Sequence, residues 1–169
     1  MPAYRLPREV LDRETGLIEK LGAEVRLRTR LGRDVQLEEL RRDFAAVFLA
    51  VGCHKSLLLE AAGESLDQVW YGLDFLRAAN SGAPPTVGPR VAVIGGGDTA
   101  LDAARSALRL GAREVHIMYR RTAALMPALE SEVAQARREG VQFHFLTLPG
   151  RILGAGRVQG LLARKTELR

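Results

Sequence analysis

The sequence predicts an α/β fold built on a parallel sheet, and three observations carry that prediction. From residue 90 to 146, short apolar segments alternate with amphipathic ones rich in Ala and Leu, in the order strand, helix, strand, helix, strand. A glycine-rich turn, Gly95-Gly96-Gly97, sits between the first of these strands and the helix that follows. Residues 45–51 are an unbroken apolar run ending at Gly52, the pattern of a strand buried on both faces.

Each element follows from its own pattern. Residues 7–21 predict a helix with Val10, Leu11, Leu17, Ile18 and Leu21 on one face and Gly22 as its stop. Residues 23–29 alternate Val25 and Leu27 with Glu24, Arg26 and Arg28, which predicts a half-buried strand. A short helix is expected over 37–42, and residues 53–70 show the least periodicity. A helix over 72–80 runs into Asn80-Ser81-Gly82-Ala83-Pro84-Pro85, a loop by its turn chemistry and the expected boundary between modules 1–80 and 81–169. The second module reads as strand 90–94, helix 99–110 stopped by Gly111, strand 114–119, helix 129–139 stopped by Gly140, and strand 141–146. Right-handed crossovers would join these strands into a parallel sheet.

Composition narrows the function classes. The 169 residues are 47% apolar and 27% charged, and the longest apolar run, 44–52, is far short of a bilayer span. With no signal-peptide pattern either, the expected location is the cytoplasm and no membrane partner is expected. One cysteine, Cys53, and three scattered histidines, His54, His116 and His144, make neither a disulfide framework nor a metal cluster. Cys53 is expected as a small packed residue, and the histidines as structural or solvated ones. The net charge of +5 comes from 22 arginines spread along the chain against 3 lysines, and aromatic residues are too few for a base-stacking platform. Nucleic acid is therefore not the expected partner.

The glycine turn carries the chemistry. Val91-Ala92-Val93-Ile94-Gly95-Gly96-Gly97-Asp98-Thr99-Ala100 fits the G-x-G-x-x-G/A dinucleotide fingerprint through Gly95, Gly97 and Ala100. Gly95 serves the tight turn, Gly97 the close approach of backbone to a pyrophosphate, and Ala100 the close packing of helix on strand. Gly96 adds flexibility, and Asp98 or Thr99 could cap the helix instead of touching ligand. The backbone N–H groups opening that helix would face the phosphates. The alternative is a glycine-rich strand–helix turn that holds no ligand.

Nucleotide choice is written at the end of the second strand, where a carboxylate selects a ribose 2′-hydroxyl and arginine a 2′-phosphate. This chain has Arg120 and Arg121 there and no carboxylate. Adjacent arginines also occur at Arg41-Arg42 and Arg137-Arg138, so the doublet is informative only through its position. That position favours NADPH over NADH. No G-x-S-x-G, H-E-x-x-H or Walker sequence is present, and no catalytic or metal-binding residue is assigned.

The run from Arg90 to Arg105, followed by Val115-His116-Ile117-Met118-Tyr119-Arg120-Arg121-Thr122 and Met126-Pro127, resembles the NADPH-dependent glutamate synthase small-subunit family. It is similar also to related pyridine nucleotide-disulphide-type flavoproteins. Pro2 to Pro7, residues 35–40 and residues 47–52 resemble the middle of that family's FAD-binding domain, and Gly52 joins the candidate cofactor-binding residues. Ala62-Gly63-Glu64-Ser65 departs from the family's Pro-Gly-Glu-Asp-like turn.

The resemblance implies a Rossmann-like NADPH-binding module, 81–169, attached to a partial FAD-domain segment and linker, 1–80. It implies FAD only where further segments supply the flavin's own fingerprint, and an FAD/iron–sulfur domain or large subunit as partner. The expectation is an internal piece of a larger oxidoreductase that presents NADPH to flavin, with self-association through uncovered edges. The alternative is a non-catalytic nucleotide-binding or interaction domain serving a separate FAD chain.

Overall fold

A computed structural model describes residues 1–82 and 84–167. Ala83, within the expected 80–85 loop, and the last two residues of the expected 81–169 module lie outside the described residues. The chain falls into two compact units, residues 3–54 and the chain from Lys55 onward with Met1 and Pro2.

The second unit contains the alternating elements. Helix α3 (Gly72–Ala79) precedes β1 (Arg90–Ile94), α4 (Asp98–Arg109), β2 (Glu114–Tyr119), α5 (Glu130–Arg138) and β3 (Gln142–Phe145), and the hairpin β4 (Thr147–Ala155) and β5 (Arg157–Lys165) closes it. Strands β1, β2 and β3 form a parallel sheet in that order, with β2 in the middle. Register runs from Arg90 opposite Glu114 to Ile94 opposite Met118, and from His116 opposite Gln142 to Tyr119 opposite Phe145. The α4 and α5 segments end one residue before Leu110 and Glu139, and Gly111 and Gly140 take the left-handed conformation that stops them.

The core follows from the two periodicities meeting. On α4, Ala100, Ala103, Ala104 and Ala107 recur at helical spacing and are all buried, and their short side chains let the helix lie close to the sheet. On β2, the period-2 set Val115, Ile117 and Tyr119 is buried, while His116 and Met118 on the other face are half-buried. Leu101, Val115 and Ile117 are fully buried, worth roughly 1.5–3 kcal/mol each in hydrophobic transfer. On the opposite face, His116 Nδ1 and His144 Nε2 lie 3.0 Å apart and share a hydrogen bond.

Residues 147–165 form a hairpin that the strand pattern did not predict. Its register shifts between Pro149 and Arg151 and again between Leu153 and Gly154, so period-2 alternation is broken twice. The aperiodic stretch before α3 is stitched to this hairpin: Ile152 N–H donates to Ala62 O at 2.8 Å and Val158 N–H to Asp67 O at 3.0 Å. The Glu64 carboxylate accepts from the N–H groups of Leu59 and Glu60 at 2.6 and 2.8 Å, so the turn that departs from the family pattern is held by its own acid.

The first unit corrects three expectations. Helices α1 (Arg8–Lys20) and α2 (Leu37–Asp43) form as expected, with Gln36 N–H donating to the Glu39 carboxylate at 2.9 Å at the start of α2. Residues 23–29 form no strand, and Val25 and Leu27 are exposed. Residues 45–51 form no strand either, and Phe48 is 92% exposed. Both patterns describe side-chain placement on a sheet, but a strand exists only where a neighbour supplies its ladder, and among the described residues none does. The apolar face of α1 is likewise exposed at Leu17, Ile18 and Leu21. Cys53, expected to be packed, is exposed.

A buried ion cluster ties α4 to α5. Arg105, 2% exposed, donates through Nε and Nη2 to Glu139 at 3.0 and 2.8 Å and through Nη1 to Glu132 at 2.6 Å. Arg109 adds two bonds to Glu139 at 2.9 and 3.0 Å. Glu139 therefore faces two guanidiniums in fork geometry, and its hydrogen bonds to Arg109 and Arg105 hold its carboxyl down at about 2. Because the folded value lies below the ordinary 4.5, this stabilisation is complete above 4.5 and is lost as pH falls towards about 2. Glu139→Gln is expected to cost about 3 kcal/mol at neutral pH. Fluorescence of Trp70, the single tryptophan and a residue of this unit, reads that loss as a lower urea midpoint. The gap between parent and variant should close as pH falls through that window; a constant gap would remove Glu139 from the acid response.

Candidate functional site

Parallel pairing places the two candidate motifs side by side. Ile94, the last residue of β1, lies opposite Met118, one residue before the end of β2, and Gly95 N–H donates to Met118 O at 3.0 Å. The glycine turn and the Arg120-Arg121 doublet therefore leave the sheet together, from the carboxyl ends of neighbouring strands. That edge is where open α/β sheets bind ligands.

The three glycines have three different reasons. Gly95 has φ +136°, and a Cβ there would meet the Ala100 methyl at 3.3 Å, so the turn and the close helix–strand approach depend on both residues being small. Gly96 is packed: a Cβ would fall 2.6 Å from two carbons of the Tyr119 ring. That corrects its reading as spare flexibility, because the strand-end aromatic occupies the space. Gly97 is different again, since the nearest atom to a Cβ is Pro127 Cγ at 3.9 Å. A Cβ there would make only an ordinary contact, and no side chain fills the space beside the start of α4.

Gly97 is also the N-cap of α4, with no side chain bonding across the helix start. Asp98 and Thr99 therefore occupy the first turn and do not cap it, which corrects the capping alternative. Both are exposed, and the Asp98 carboxylate sits at the positive end of the helix dipole. The Thr99 methyl would be 3.1 Å from a Cβ at Gly72, so it packs against the start of α3. Ala100 is buried, and its N–H donates to Gly97 O at 2.9 Å. The N–H groups before it have no intrahelical acceptor and are the donors available to an anion.

Arg120 and Arg121 are held by backbone and leave their side chains exposed. The Arg121 carbonyl accepts from Leu146 N–H at 3.1 Å, and the Arg120 carbonyl from Thr166 Oγ1 at 3.3 Å. Among the described residues, no carboxylate pairs with either guanidinium. Leu146 and Thr166, the residues on either side of the hairpin, thus anchor the doublet. Gly52 lies in the other unit, exposed, with φ +69°.

Two contributors escaped the sequence reading. Tyr119 was visible as the third member of the buried alternation Val115, Ile117, Tyr119, whose last place falls under the glycine turn. Its hydroxyl donates to Leu125 O at 2.6 Å. Pro127 carried only the family resemblance of Met126-Pro127. Its place over Gly97 follows from the loop of residues 122–128 folding back on the turn, a tertiary event with no local signal.

The model for the pyridine nucleotide-disulphide oxidoreductase family matches residues 6–169. The beta subunit of the NADP(+)-dependent formate dehydrogenase of Moorella thermoacetica is 45% identical over 172 residues, covering 99% of this chain and 24% of that protein. The small chain of the NADPH glutamate synthase of Escherichia coli K12 is 39% identical over 181 residues, covering 99% of this chain and 38% of that protein. The structure of Mycobacterium tuberculosis FprA in complex with NADPH shares the fold, with TM-score 0.70 and 23% identity over 83% of this chain and 47% of that one. The chain thus spans about a quarter to two-fifths of the length of these curated relatives. No helix among the described residues is long and apolar enough to cross a membrane. With a match across almost its whole length and a dinucleotide fingerprint at the carboxyl edge of a parallel sheet, the chain belongs to the pyridine nucleotide-disulphide oxidoreductase family.

Proposed function

We propose that residues 81–169, which lie within the unit from Lys55 onward, bind NADPH and present it for hydride transfer to FAD within a longer flavoprotein of the glutamate synthase small-chain type. The observation that carries this reading is the emergence, from adjacent strand ends, of a glycine turn whose Gly97 carries no side chain and an arginine doublet that no carboxylate of the described residues pairs. The cradle fits a pyrophosphate: Gly97 contributes no side chain at the start of α4, where the first N–H groups carry partial positive charge and lack intrahelical acceptors. The doublet fits a 2′-phosphate, which two planar guanidiniums bind in fork geometry and which a carboxylate in that place would repel. Bound NADPH supplies the hydride; the chain's own residues bind the phosphates and orient the nucleotide.

The module division, 1–80 as part of an FAD domain and 81–169 as the nucleotide module, belongs to the same proposal. Gly52, exposed and in the left-handed conformation, is open to close backbone approach by a flavin held mainly by other segments. Phe48, 92% exposed in the first unit, suits cover by the rest of such a flavoprotein, by a large subunit or by a second copy. A cytoplasmic location is part of the same proposal.

Calorimetric titration tests the nucleotide assignment. Replacing Arg120 and Arg121 together by Ala is expected to weaken NADPH binding about 10- to 100-fold and NADH binding far less. Equal losses for the two nucleotides would sink the 2′-phosphate assignment. Gly97→Val is expected to weaken both nucleotides at least about tenfold by filling the cradle, with stability lowered by no more than about 1–2 kcal/mol from the poorer helix N-cap. Gly96→Ala should instead lower stability by about 1–3 kcal/mol, since its methyl is driven into Tyr119. A Gly97→Val protein that binds both nucleotides normally would overturn the cradle.

A further inference from the structure

The loop of residues 122–128 is held at two points that flank Pro127, one by the side chain of Tyr119 at the end of β2 and one by the glycine turn. On one side the Tyr119 hydroxyl donates to Leu125 O at 2.6 Å, and on the other Ala128 N–H donates to Gly96 O at 3.3 Å. Met126 packs partly buried against the core and Ala128 is buried in it, so the exposed Pro127 between them is turned outwards, 3.9 Å from where a Gly97 Cβ would lie. The Tyr119 ring is itself buried beneath Gly96, so one side chain supports the glycine turn from below and holds the loop that covers it.

The bond from Ala128 has a stereochemical consequence. The Gly96–Gly97 peptide is trans, so its C=O and its N–H point in opposite directions. Holding the Gly96 carbonyl on Ala128 sends the Gly97 N–H to the other side of the peptide. Between two glycines no side chain resists rotation of that plane, and the reversed plane would aim a carbonyl oxygen at an anionic ligand in place of a donor.

We infer that Tyr119 and the 122–128 loop form a peptide lock, in which Tyr119 is a positioning residue that keeps the Gly96–Gly97 peptide in its anion-donating sense and seats Pro127 as a wall of the phosphate cradle. The inference rests on the nucleotide reading above and deepens it. The lock acts on the pyrophosphate, which NADPH and NADH share, and not on the 2′-phosphate. Its signature is therefore a loss common to both nucleotides, unlike that of the arginine doublet.

Tyr119→Phe keeps the ring under Gly96 and removes only the hydroxyl. Titration of the full chain with NADPH and with NADH is expected to show about 5- to 10-fold weaker binding of each. Amide hydrogen exchange without nucleotide should show faster exchange at Ala128, with the urea midpoint read from Trp70 little changed. Ala128→Pro removes the donor directly with Tyr119 intact, and should reproduce the common loss. Unchanged affinity in both variants, or unchanged exchange at Ala128 in Tyr119→Phe, overturns the lock while the doublet's NADPH preference stands. A parent chain that binds neither nucleotide overturns the underlying reading and the lock together.

Discussion

The parallel ladder between β1 and β2 is the constraint on which the rest of the site depends. It continues one residue beyond β1, where Gly95 N–H still bonds Met118 O at 3.0 Å, so the glycine turn begins in register with the end of the neighbouring strand. Two segments separated by more than twenty residues of chain are thereby brought to one edge. A ladder slip of one residue would turn Tyr119 to the other face of the sheet and remove the ring from beneath Gly96. The register thus sets the position of the arginines, the support of the turn and the burial of the core in a single act.

Packing around that ladder separates rigid from exposed parts. The alanine face of α4 lies close to the sheet, and Arg105 reaches across to Glu132 and Glu139 of the α5 region in a cluster that leaves its guanidinium satisfied although buried. Removing one member would leave a charge unmatched in a poorly solvated place. The helix whose first turn faces the cradle is therefore tied down along its length as well as at its start. Residues 3–54 have the opposite character: helices form, many apolar side chains stay exposed, and no ladder among the described residues holds the run at 45–51.

Much of the second unit was legible in the sequence because its signals are local and agree with one another. Glycine stops, helical spacing of alanine and short apolar strands all place the same boundaries, and β1 and β2 fall at the residues expected. The hairpin at 147–165 was not legible because two register shifts break its alternation. The strands expected at 23–29 and 45–51 failed for a different reason. Their patterns state which side chains could face a sheet, while the sheet itself is a property of neighbours that those residues do not contain.

By itself the sequence determined the α/β order of elements, the fingerprint at Gly95, Gly97 and Ala100, and the place of Arg120 and Arg121 after the second strand. These depend on backbone preference and side-chain chemistry over a few adjacent residues. Tertiary structure alone decided that Gly96 is packed while Gly97 is open, that Tyr119 supports the turn, and that Pro127 covers it. It also assigned the anchoring of the arginine doublet to Leu146 and Thr166. Those facts are distances between parts of the chain that only the folded sheet brings together, and no local pattern encodes them.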